Sequence, residues 1–87
     1  MRTFVLHCEN LLFREQAHAH LAQALELPAY YGKNLDALYD CLTELGPCTI
    51  QLVDAALLRR DDGYGALILQ TLADAARDDP RLHLEEL

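Results

Sequence analysis

Asp36, Tyr39, Asp40 and Thr43 fall at i, i+3, i+4 and i+7 within "YYGKNLDALYDCLTEL", residues 30–45. On a helix that spacing gathers them on one side. Two carboxylates, a phenol and a hydroxyl in one outward row can accept hydrogen bonds from guanidinium or ammonium groups. The other side of the same helix collects Leu35, Leu38, Leu42 and Leu45, with Cys41 at the edge, and is its core face. Like charges at i, i+4 disfavour an isolated helix, and the helix N-terminus offsets this better for Asp36 than for Asp40. Farther along, Asp74 and Asp78 repeat the i, i+4 acidic pair outside a third helix whose Ile68, Leu69, Leu72, Ala75 and Ala76 face inward. Two such pairs, one beside an exposed aromatic and a tyrosine-rich loop, fit the anatomy of a cation-binding hot spot. The plain alternative is a solvated acidic face.

Catalytic chemistry has thinner support. The sequence contains no serine, which excludes serine-based triads. Gly63 and Gly65 in "DDGYG" lack the lysine and the spacing of a phosphate-cradling loop and read as a turn. Cys8 beside His7, or Cys41 with any histidine, reads as packing rather than as a nucleophile and its base. His18 and His20 project about 200° apart on a helix, so the histidines read as surface groups. Adding His7 and Cys8 gives no standard ligand spacing, and neither metal nor cofactor is expected.

The charge balance narrows the partner. Fourteen acids against seven bases give a net charge of −7 over 87 residues. Phosphate binding needs Lys and Arg, so nucleic acid is disfavoured. Between Asn34 and Leu58 there is no Lys or Arg, while Asp36, Asp40, Glu44 and Asp54 all lie there. The surface is suited to a basic partner, unless the acids serve solubility alone. The three cysteines, Cys8, Cys41 and Cys48, form no CxxC pair and no even framework, so reduced thiols and a cytoplasmic setting are expected. "MRTFVLHCENLLFRE" meets charge before a signal-length apolar run develops, and no membrane association is expected.

Behind these rows stands a simple order of elements. "TFVLH" reads as a strand, and a helix follows with Phe13, Ala17, Leu21, Ala24 and Leu25 inward and His18 largely away from them. Pro28 closes that helix. Asn34 caps a second, running from Leu35 to about Leu45 and stopped by Gly46-Pro47. "CTIQLVD" is the clearest strand, "AALLRRDDGYG" a helical turn and loop, and a long helix from about Gly65 to Asp78 ends before Pro80. "RLHLEE" is the last strand. Strands joined by helical connections of this length pair in parallel, so a three-stranded α/β layer covered by helices is expected, in order 1-2-3 with the apolar "TIQLV" central. Residues 1–87 make one domain, expected to be a monomer.

"LELPAYYGKNLDALYDCLTEL" resembles the signature of the barstar family, intracellular inhibitors of the secreted guanyl-specific ribonuclease barnase. The likeness is densest over Leu25 to Leu45 and looser over "LQTLADAARDD", with length, acidity and element order agreeing throughout. It implies a three-stranded parallel sheet packed with about four helices, and a non-enzymatic, immunity-type protein. The partner it implies is a basic secreted ribonuclease, bound by the second helix and the loop before it. Asp40 matches the aspartate that enters the nuclease site in place of a substrate phosphate. Asp36 matches a second acidic contact, Tyr30 an aromatic contact on the loop, and Thr43 a hydrogen-bonding position. Asp74 matches a further acidic contact on the last long helix, with Asp78 one turn beyond. Asn34 and Tyr39 complete the expected partner-binding set.

This sequence departs from the family at Tyr39, which replaces a tryptophan, and at Glu44-Leu45, which replaces a Gly-Trp pair. Lys33 stands where the family has an acid, and Asp74 is one methylene shorter than glutamate. These changes bear on which partner is recognised rather than on the fold. A barstar-like interaction module acting on a non-nuclease partner is the competing reading. A small enzyme built on the Asp36/Asp40 pair would need a pocket that a convex helix face does not make.

Overall fold

Alternation of apolar and polar residues builds the sheet. The structure is a computed structural model and describes residues 2–87. In β1 (Arg2–His7), Phe4 and Leu6 turn inward while Thr3, Val5 and His7 stay exposed. β2 (Cys48–Val53) buries Cys48, Ile50 and Leu52, and β3 (Leu82–Glu86) buries Leu82 on the same side. The three strands are parallel in the order β1-β2-β3, with Phe4 opposite Ile50 and Ile50 opposite Leu84. The apolar "TIQLV" run is central, as its composition requires.

Between the strands run α1 (Arg14–Ala24), α2 (Leu35–Glu44), the short α3 (Ala56–Arg60) and α4 (Tyr64–Asp78), with a 3₁₀ turn at Cys8–Asn10. Leu21 of α1, Leu38 and Leu42 of α2, Leu58 of α3 and Ile68 and Leu72 of α4 are fully buried with Leu6 and Ile50 of the sheet. The helices cover the sheet, as expected, and they do so on one face. The other face carries Thr3, Val5, Gln51 and Glu85, and Gln51 Nε2 donates to Glu85 Oε1 at 2.7 Å. A solvated face is unusual for a parallel sheet, and the polar Thr3, Gln51 and Glu85 make it compatible with water here.

Two residues of α1 reverse the sequence reading. Phe13 is the N-cap, in extended backbone (φ −121°, ψ 142°), so it leaves the helix's inward arc and is 71% exposed. His18, read as a surface group, is buried at 2% exposure. The helix itself stops at Ala24, four residues before Pro28, and Glu26 takes a positive φ of 54°.

Local chemistry fixes the ends of α2. The Asn34 side chain accepts a hydrogen bond from Ala37 N at 2.7 Å, which satisfies one orphan amide of the first turn. Past Leu45, Gly46 adopts φ 79°, the left-handed conformation that ends helices and that glycine enters without strain. Gly63 is the N-cap of α4, and Gly65 falls at the expected start of that helix. It lies inside α4, where a Cβ would come within 2.7 Å of Asp61 Oδ2. That carboxylate accepts from Gly65 N at 2.8 Å and serves the start of α4.

Candidate protein-binding face

The outward row of α2 is laid out as the periodicity requires. Asp36 and Asp40 are exposed, and Leu38, Cys41 and Leu42 are buried behind them. No hydrogen bond or ion pair engages the Asp36 or Asp40 carboxylate among the described residues, nor that of Glu44 one turn beyond. They are open acceptors. Beside Asp40 lies a hollow of about 330 Å³ lined by Tyr30, Tyr31, Gly32, Ala37, Cys41 and Glu44.

Other candidate residues are already engaged within the chain. The Tyr39 hydroxyl donates to Asp78 Oδ2 at 2.5 Å, so this ring is half-buried between α2 and α4 rather than free. Thr43 Oγ1 donates to the backbone oxygen of Asp40 at 2.9 Å. Asn34 gives its oxygen to the α2 cap, and its Nδ2 donates to Gly32 O at 3.3 Å, tying loop to helix. On α4, Asp74 Oδ1 accepts from Gln70 Nε2 at 2.8 Å and faces Arg77 Nη1 at 3.3 Å. Arg77 Nε also donates to Asp78 Oδ1 at 3.2 Å. The Tyr39 hydrogen bond and then the Arg77 one hold the Asp78 carboxyl below its usual range, and the same bond to Asp78 pushes the Tyr39 phenol up.

The loop before α2 is held by a group the sequence reading missed. Tyr30 is 81% exposed, while its neighbour Tyr31 is buried. Tyr31 Oη lies 2.6 Å from His18 Nδ1, and Tyr64 Oη lies 2.6 Å from His18 Nε2. One ring nitrogen donates and the other accepts, so the neutral imidazole satisfies both. Burial, and secondarily the charge of Arg14, holds the His18 pKa below its ordinary 6.5. Burial pushes the Tyr31 phenol up. The histidine thus clamps the loop and the start of α4 to α1, while Tyr30, next to the clamped Tyr31, stays exposed. The pairing of "YY" was a visible signal; the partners of His18 lie 13 and 46 residues away and left none.

His20 is engaged as well, its Nε2 accepting from His7 N at 3.0 Å. Among the described residues no group of three metal-binding side chains converges. All three cysteines are free and buried. Burial, then Asp54, pushes the Cys8 thiol up to about 11, and burial also raises Cys41 and Cys48. No helix among the described residues is long and apolar enough to cross a membrane.

The site is thus a helix of a small parallel α/β layer that shows open carboxylates, with a tyrosine loop at its side. The family model described as "Barstar (barnase inhibitor)" matches residues 1–85, and the chain belongs to that family. It is also similar to the protein named "Putative ribonuclease inhibitor YrdF" of Bacillus subtilis (strain 168), with 44% identity over 43 residues. That match takes in 49% of this chain and 47% of the relative, so it spans just under half the relative's length.

Proposed function

We propose that the chain is a ribonuclease inhibitor, a binding protein and not a catalyst, whose α2 face blocks the active site of a small, basic, secreted guanyl-specific ribonuclease of the barnase type. The observation that carries this reading is the pair of exposed, unpartnered carboxylates on α2, Asp36 and Asp40, set in a stretch with no Lys or Arg. Membership of the barstar family and the name of the Bacillus relative support it. A ribonuclease concentrates positive charge to hold phosphate. A rigid helix that presents carboxylates can fill such a site and offers no bond to cleave.

In this reading Asp40 enters the site, Asp36 and Tyr30 flank it, and Asp74 and Asp78 add a secondary acidic edge. Asn34, Tyr39 and Thr43 hold the face in shape. The inhibitor works as a single domain and a monomer in the cytoplasm, without cofactor, nucleic acid or membrane. The test is titration of barnase activity on an RNA substrate with the purified chain. Stoichiometric loss of activity supports inhibition. Full activity with the chain in excess rejects a barnase-type target and favours a non-nuclease partner.

A further inference from the structure

The acids of the two helices do not stand in the same state. Asp36 and Asp40 on α2 are open, whereas Asp74 and Asp78 on α4 share one guanidinium, Arg77, at 3.3 and 3.2 Å. The remaining capacity of the α4 pair is partly taken too, by Gln70 Nε2 on Asp74 and by the Tyr39 hydroxyl on Asp78. Arg77 is 70% exposed, so it lies where a docking cation would have to come.

We propose that Arg77 is a built-in competitor for the partner's cations, a specificity-determining residue that mutes the α4 acids and concentrates recognition on Asp36 and Asp40. The inference rests on the inhibitor reading above. Its physics is direct. A partner arginine approaching Asp74 or Asp78 meets a like charge already seated between them. It must displace Arg77 or share its carboxylates, and either way the gain shrinks. Exposed ion pairs of this kind are weak, so the competition is a modest bias and not a block. The α4 edge becomes selective: it rewards a partner whose cations are dense enough to outcompete Arg77, and gives little to one with a sparse basic surface.

The experiment is stopped-flow association and equilibrium titration of Arg77→Gln against barnase, beside the parent chain, Arg60→Gln and Asp40→Ala. Arg60 is exposed on α3 with no ion pair among the described residues, so its variant makes the same change in net charge without touching the α4 acids. The expected result is association about two- to fivefold faster in Arg77→Gln at low ionic strength, with affinity tighter by a similar factor. The gain exceeds that of Arg60→Gln. Asp74→Asn also costs more in the Arg77→Gln background than in the parent, because the two residues are coupled. Thermal melts of all variants show that the fold is kept. An Arg77→Gln chain that binds no better than Arg60→Gln, while Asp40→Ala loses binding, overturns this inference alone. If the parent chain does not bind barnase, or Asp40→Ala binds as the parent does, the inhibitor reading fails and this inference falls with it.

Discussion

The Tyr39 hydroxyl donates to Asp78 Oδ2 at 2.5 Å and fastens α2 to α4 across the acidic face. The bond spans 39 residues of sequence. Tyr39→Phe keeps the ring and removes the donor. The Asp78 carboxyl, held low first by this bond, is then expected to titrate at higher pH, read from its side-chain carbon resonance. An unmoved midpoint would mean that Arg77 alone sets the Asp78 charge.

The His18 clamp predicts how stability follows pH. In the folded chain the His18 and His20 pKa values lie below the ordinary 6.5, so the unfolded chain takes up protons first as pH falls. Stability is full above about 6.5 and is lost downward through the folded-state pKa values. Asp78 and Asp79, also held low, add their losses only at more acid pH, below the ordinary 3.8. The melting temperature should therefore fall between pH 7 and 5, and His18→Gln should flatten that part of the profile. A wild-type profile flat from pH 7 to 5 would contradict the buried neutral imidazole.

The thiols should be inert and structural. Cys8 and Cys48 are fully buried, with Cys8 pushed up to about 11, so neither offers thiolate near neutral pH. Native protein should react slowly with iodoacetamide at all three positions and completely once unfolded. Cys8→Ala and Cys48→Ala should keep partner affinity while losing about 1–2 kcal/mol of stability to the cavity left behind. Loss of binding in a folded variant would assign a thiol a role in recognition.

Long-range steering follows from the net charge of −7. The association rate with barnase should drop severalfold from low to physiological salt while dissociation changes less, because screening acts on the approach and not on the docked contacts. A salt-independent rate would leave the acids as a solubility device.

Much of this fold was legible because it is encoded locally. Leu35, Leu38, Leu42 and Leu45 define the inward side of α2, Asn34 its cap and Gly46 its stop, and all of these signals lie within one short stretch. Strand order followed from which run was most apolar. What escaped the sequence depends on distant partners. His18 sits at the edge of the α1 apolar arc, and only the arrival of Tyr31 and Tyr64 makes its burial affordable. Phe13 was misplaced because periodicity cannot tell the N-cap from the first helical turn. The outward row on α2 was readable and the Arg77 pairs are local to α4, but the bond that ties Tyr39 to Asp78 depends on the packing of α2 against α4.

The central claim is that Asp40 is the principal contact. It lies mid-helix on the open row, beside the Tyr30 hollow, where a docked ribonuclease would desolvate it and surround it with cations. Truncating one partner of a buried charge pair generally costs about 2–5 kcal/mol. The decisive measurement is the dissociation constant of Asp40→Ala for barnase, with a thermal melt of the same variant. The account predicts weakening by at least about 25-fold, more than for Asp36→Ala or Tyr30→Ala and far more than for Asp74→Ala, with the melting temperature kept. An Asp40→Ala chain that is folded and binds as tightly as the parent would contradict it.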